Sequence, residues 1–305
     1  MGGLLLCLAI TFAAVTLLGL LLLACGVERS GPLVRKLLVP VFLLTAVAFL
    51  RPRRAEIPRL LGLVPRPERP IRVVLQGFLI GVASLLVLVV GLLLAGFREV
   101  RVERDALELC LRALFYFVTT ILVLGLLEET LFRGILHGRL LRAGGPRAAV
   151  LLGSVLFALA HFLKHRGDRP ESGLAGVLDV APAAVQGLTV TPERWKEVVG
   201  LFMVGLVLAL IRQRTGTVYL GLGVHAGWVF VRKMDAVLTD EVSKPKGVLE
   251  FVIGTNRFYD GLLGWMALLL ALLFARLFLS GEARRPSGRI MGAPADGSRR
   301  RGERP

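Results

Sequence analysis

Cysteine is scarce in this chain, with three residues in 305, and Cys7, Cys25 and Cys110 all lie within or beside apolar runs. None stands in a Cys-x-x-Cys spacing, so neither a disulfide framework nor a zinc ribbon is implied. There is no His-Glu-x-x-His run to hold a metalloprotease zinc on one helix face. A long polar domain is also missing: 55% of residues are hydrophobic and the mean hydropathy is +0.70, which excludes a soluble protein. No internal repeat points to a transporter built from two related halves. The first apolar run follows Met-Gly-Gly without a basic n-region and ends in Ala-Cys-Gly without a convincing cleavage site, so an uncleaved helix is expected there.

What is present is a series of apolar runs near 3–25, 32–50, 73–96, 109–128, 148–163, 197–211, 217–232 and 259–280. Crossing the hydrocarbon takes about 20 helical residues, so the sequence predicts an all-α polytopic transmembrane bundle of about eight spans. Residues 1–104 read as N-terminal scaffold helices, 105–232 as a functional core, 233–280 as a loop and final span, and 281–305 as a basic disordered tail. The stretch from Leu174 to Val190 is apolar but broken by Asp179, Pro182 and Gly187, which fits either a span or a re-entrant piece.

The net charge of +16 does not indicate a nucleic-acid partner, because the basic residues are spread over the loops, where topology and anionic lipid headgroups account for them. Seven arginines crowd 51–72, and Arg133, Arg139, Arg142 and Arg147 follow the fourth run. The positive-inside rule makes both segments cytoplasmic, and eight alternating spans then put both termini on that side. The mixed-charge segments 97–108, 164–196 and 233–258 are assigned to the opposite side. The expected location is a bacterial inner or plasma membrane.

Acids at membrane depth are costly, so Glu128 and Glu129 default to a functional site. On a helix they point about 100° apart. Glu129 stands four residues before Arg133, the favourable orientation for a helical ion pair. The corresponding positions after Glu128 are Leu131 and Phe132, leaving Glu128 to act on groups that other helices bring. The plain alternative is that both glutamates cap the end of the fourth span. His161 follows Phe157 by four residues, and His165 follows four later among charged flanks that mark a surface position. His137 reads as a solvated loop residue. His225 and Trp228 lie in Gly221-Leu-Gly-Val-His225-Ala-Gly227-Trp228, where small residues suit either a substrate groove or a helix-packing seam.

Glu128-Glu129-x-x-x-Arg133, Phe157-x-x-x-His161 and His225 on a later run, in this order, resemble the CAAX-prenyl-protease-like and bacteriocin-processing family of glutamic-type intramembrane proteases. The resemblance covers roughly residues 120–232. It implies a peptidase site inside the membrane, open toward the cytoplasm, acting on a membrane-embedded or lipid-tethered protein. By position, Glu128 is the base that activates water and His161 its partner. Glu129 and Arg133 form a supporting ion pair, His225 stabilises the oxyanion, and Phe157 and Trp228 support the site. No metal or other cofactor is required, with zinc the less favoured alternative. The family commonly has an asparagine four residues after the last histidine, and this chain has Val229. Loss of an oxyanion donor typically costs about a hundred- to a thousandfold in rate, so the second reading is an inactive member that binds hydrophobic peptides as a chaperone or immunity protein. Trp228 is a candidate substitute donor.

Overall fold

The computed structural model describes residues 2–27, 41, 45, 56–64, 67–101, 105–162, 173–179, 182, 194–243, 245–255 and 257–283. Most of the expected second span, His165, Asn256 and the tail beyond Ala283 lie outside these residues.

The chain is all-α apart from two three-residue strands. Helix α1 is Gly2–Ala24, α2 the short Ile57–Leu60, and α3 Pro70–Leu94, with prolines at the first turn of α2 and α3, where a missing N–H costs nothing. Strand β1 (Arg98–Val100) follows α3, and α4 (Ala106–Thr119) begins where the Asp105 carboxylate caps the Leu107 N–H. Helical backbone then runs without a break through a π-helical segment Thr120–Gly125, α5 (Leu126–Glu129), a second π-helical segment Thr130–Leu136, and α6 (His137–Phe162). Its one interruption is a kink at Gly145, φ 78°, just before Pro146. Beyond it come α7 (Gly173–Leu178), α8 (Trp195–Thr215), α9 (Tyr219–Leu238), β2 (Thr239–Glu241), α10 (Val248–Ile253) and α11 (Leu262–Ala283).

Three stretches are long and apolar enough to cross a membrane: Pro70–Leu94, Ala106–Phe162 and Leu262–Leu279, with Ala9–Ala24 a shorter apolar helix. The expected eight spans are therefore not reproduced as such. The fourth and fifth runs join in one 57-residue helical stretch. The sixth and seventh are α8 and α9, each closed by charged residues at its ends: Lys196, Glu197, Arg212 and Arg214 on one, Arg232, Lys233 and Asp235 on the other. Apolar side chains cover the outside of the bundle, including Ile71, Leu79 and Leu94 on α3 and Leu107, Leu111, Leu114 and Phe115 on α4. In water such a surface would aggregate; in lipid it is the solvent-facing side. The protein is an integral membrane protein.

Helices α3 and α9 run parallel in close contact. Gly77 and Gly81 on α3 face Gly223 and Gly227 on α9, so each helix presents small residues four apart to the other. A Cβ on Gly223 would stand 2.1 Å from the Val74 carbonyl oxygen, and one on Gly227 2.4 Å from that of Phe78. Backbones this close gain dispersion contacts that lipid cannot supply. The two helices are joined again at one end, where β1 pairs antiparallel with β2 and the buried Arg98 guanidinium meets Asp235 at 2.6 Å. One apolar core includes Leu85, Leu88 and Leu92 of α3, Phe132, Phe157 of α6, Val204 and Leu208 of α8, and Trp228 of α9.

Gly223→Ala should therefore destabilise the bundle by about 1–3 kcal/mol, the usual cost of overpacking, seen as a lower unfolding temperature in detergent or loss of folded protein. Gly91→Ala, with open space around its Cβ position, should be neutral or mildly stabilising. Equal effects at both positions would show that the α3–α9 seam does not depend on its glycines.

Candidate functional site

The two glutamates lie on the short α5, between two π-helical segments, a feature that recurs at functional sites because the wider turn re-aims side chains. They do not cap a helix end, since the helix continues past them, and both are enclosed: Glu129 is 0% and Glu128 4% exposed. Glu129 Oε1 accepts hydrogen bonds from Arg133 Nη1 at 3.1 Å and from His225 Nδ1 at 3.0 Å. The ion pair read from the four-residue spacing is thus present, and it reaches across to α9. Glu129 Oε2 has no hydrogen-bond partner among the described residues and faces the Gly221 backbone.

Arg133 is itself buried, with its guanidinium 4.3 Å from the Phe157 ring centre and its Nη2 donating to the Gly205 carbonyl. Its own carbonyl accepts from Arg212 Nε at 3.0 Å. Phe157 stacks against His161, ring centres 4.4 Å apart, and its carbonyl oxygen lies 2.9 Å from His161 Nδ1. A carbonyl can only accept, so Nδ1 of His161 carries the proton; the same logic applies to His225 Nδ1 against the Glu129 carboxylate. In each neutral ring the lone pair is then on Nε2. Both Nε2 atoms face Glu128 Oε2, His161 at 3.7 Å and His225 at 3.9 Å. These separations exceed a direct hydrogen bond and suit a small intervening molecule such as water.

Glu128, His161 and His225 share the wall of one cavity of about 440 Å³. Trp228, Val229 and Arg232 continue the His225 face of α9 along it, and Phe157, Leu85 and Leu201 make it apolar at depth. Trp228 does not offer its N–H to the cavity: Nε1 donates to Ser84 Oγ at 3.0 Å, and that hydroxyl donates in turn to the Gly81 carbonyl. The idea that Trp228 replaces the missing asparagine donor is therefore corrected, and Val229 brings no donor of its own. His137 is also not a solvated loop residue. It is buried on α6 with Nε2 3.0 Å from Gln213 Oε1, because the helix continues where a loop was expected.

The mouth of the cavity carries residues that the sequence reading passed over. Arg194 lies over the Phe162 ring, Glu197 pairs with Arg257, and Tyr259 closes on α8 at Gly200. No local motif links 194–197 to 257–259, but Arg232 was findable, being seven residues beyond His225 and so on the same helix face. Arg232 makes no hydrogen bond or ion pair among the described residues. The mouth lies at the end of the bundle marked by the α8 N-terminus, the β1–β2 pair and the start of α11. Gly62, Gly134, Arg212 and Val218 pack together at the other end, where the Leu61 carbonyl would be 2.5 Å from any Cβ on Gly134. An opening toward the arginine-rich side, expected because Arg133 ends the fourth run, is thus corrected: that end is closed. Arg133 misled because it points back onto Glu129 and Phe157 instead of marking an edge.

Zinc needs ligands about 2.0–2.2 Å from the ion, hence roughly 3.3 Å from one another in a tetrahedral site. The Glu128 to histidine distances are longer, and no group of three His, Cys, Asp or Glu among the described residues is arranged to hold a metal ion.

An apolar bundle enclosing a carboxylate and two imidazoles around one cavity has the architecture of an intramembrane enzyme. Residues 111–231 match the family model for Rce1-like proteins, described as type II CAAX prenyl endopeptidases. Over this segment, which contains every group converging on Glu128 Oε2, the chain is a CAAX-protease-like membrane protein, as its motifs indicated. No curated protein and no solved structure matches the chain.

Because the Glu129–Arg133 pair is enclosed, Arg133→Ala should cost about 3–5 kcal/mol by leaving a buried carboxylate without its cation. Thermal unfolding in detergent checks this. Removing the charge from both partners together, as Glu129→Gln with Arg133→Met, should recover a substantial part of the loss.

Proposed function

We propose that this protein is an intramembrane endopeptidase that hydrolyses a peptide bond by water activated at Glu128. The observation that carries the reading is the convergence of Glu128 Oε2 with both histidine Nε2 atoms, within 4 Å, on the wall of one cavity. Glu128 takes a proton from the water, and the hydroxide oxygen adds to the substrate carbonyl carbon. The proton then passes to the leaving nitrogen as the C–N bond breaks. His161, oriented by the Phe157 carbonyl, holds the water from its second side. His225 faces the developing oxyanion. To donate from Nε2 as well as Nδ1 its ring must carry a second proton, whose charge Glu129 offsets. No Ser or Cys nucleophile is needed, and no cofactor enters the scheme. A zinc-assisted version predicts loss of activity on chelation, whereas this one predicts none.

The substrate class proposed is a membrane-bound or lipid-tethered protein carrying a C-terminal sorting signal, a leader or a CAAX-type tail. The apolar depth and charged mouth support a segment with one hydrophobic and one hydrated side. The family match supports a membrane-associated protein substrate.

Val229 favours a second reading, a hydrophobic-peptide-binding protein without activity, and one experiment separates the two. In membranes from native-host cells, Glu128→Gln should remove a defined set of cleaved protein termini and accumulate the uncut precursors, with the rate falling about 10²–10⁴-fold as a general base is lost. Unchanged termini, with the variant stably present, would favour the binding reading.

A further inference from the structure

The two ends of the bundle carry charge very differently. At the closed end Arg59, Arg69, Arg72, Arg139, Arg142 and Arg147, joined by Arg212 and Arg214, face only Glu56 and Glu68. None of these arginines forms an ion pair among the described residues. At the mouth end the cations are matched: Arg98 with Asp235, Arg101 with Asp240, Arg112 with Glu108, Lys196 with Glu250, and both Arg194 and Arg257 with Glu197. Counting Lys and Arg alone does not separate the ends; pairing does. An ion-paired end presents little net charge to a headgroup surface or to the membrane potential. A face of solitary arginines is held at the anionic, electronegative cytoplasmic side.

We infer that the closed, arginine-rich end is cytoplasmic and that the cavity opens on the non-cytoplasmic face. The catalytic wall supports this geometry independently of charge. From His225 to Arg232 is seven residues, about 10 Å along a helix axis, and every step of it runs toward the mouth and away from Gly62 and Val218. Taken with the protease reading, on which this clause rests, the segment cut is one already translocated: the outer boundary of a membrane-anchored protein, not a tail still in the cytoplasm. Helix α11 runs from the mouth toward the closed end, so the sequence beyond it, with seven arginines after Ala283, emerges on the cytoplasmic side.

The test uses the full chain with Cys7, Cys25 and Cys110 changed to Ser and a single cysteine restored, probed in spheroplasts with a membrane-impermeant maleimide. Val248→Cys, on exposed α10 at the mouth, should label in intact spheroplasts, and Arg142→Cys only after permeabilisation. The reverse pattern, or labelling of both without permeabilisation, overturns the inference. Should the cysteine-free chain fail to fold, reporter fusions to Pro305 of the unaltered chain decide: a fluorescent GFP fusion with an inactive alkaline phosphatase fusion supports it, and the opposite pair overturns it. Neither readout requires catalysis, so a failed Glu128→Gln experiment leaves this result standing, and a failed topology leaves the chemistry standing.

Discussion

A single oxygen, Oε1 of Glu129, is the point on which the site hangs. Enclosing a carboxylate this completely costs several kcal/mol unless charge and hydrogen bonds offset it, and here the offset comes from Arg133 on the same helix and His225 from α9. Each donor then positions something further. The Arg133 guanidinium lies on Phe157, and Phe157 holds His161 by its ring and its carbonyl. Both imidazoles that face Glu128 are therefore oriented, directly or through one aromatic ring, by the neighbouring glutamate. The residue proposed to do chemistry sits in a frame built by the residue beside it.

That frame needs α9 close to the rest of the bundle, and the glycines of α3 and α9 allow it. With Gly77 and Gly81 against Gly223 and Gly227, the helix carrying His225 approaches until backbone meets backbone. The Trp228 indole can then donate to Ser84 on α3 and fix the helix about its axis. The π-helical turns on either side of α5 do complementary work, letting adjacent glutamates both point inward, one to the ion pair and one to the cavity.

The parts of this arrangement legible in the sequence were those governed by helical spacing. Glu129 and Arg133, four apart, meet as the spacing says, and Phe157 and His161, four apart, share a face. The apolar runs announced helices in a membrane. The parts not legible depended on contacts between distant segments or on a change of helical pitch. Nothing local says that Trp228 bonds to a serine 144 residues earlier, or that Arg257 reaches Glu197. Nor does periodicity distinguish an α-helix that ends at Arg133 from one that widens and continues, which is why His137 was read as exposed and the cavity as opening at that end. Val229 was visible as a departure, but the groups around it were not.

The short strands beyond α3 and α9 carry a mechanical consequence. With β1 laced to β2, and Arg98 buried against Asp235, the two helices are clamped at the rim and seamed along their length, so the wall bearing His225 acts as a fixed jaw. The opposing rim is made of α8, α10 and the start of α11, joined by the Trp195, Phe251 and Trp265 rings and by the Lys196 and Arg257 ion pairs. Rings that slide and ion pairs near water yield more readily than interlocked backbones. Any widening that admits a polypeptide is therefore borne by that side, and the alignment of His225 with Glu128 and Glu129 survives it.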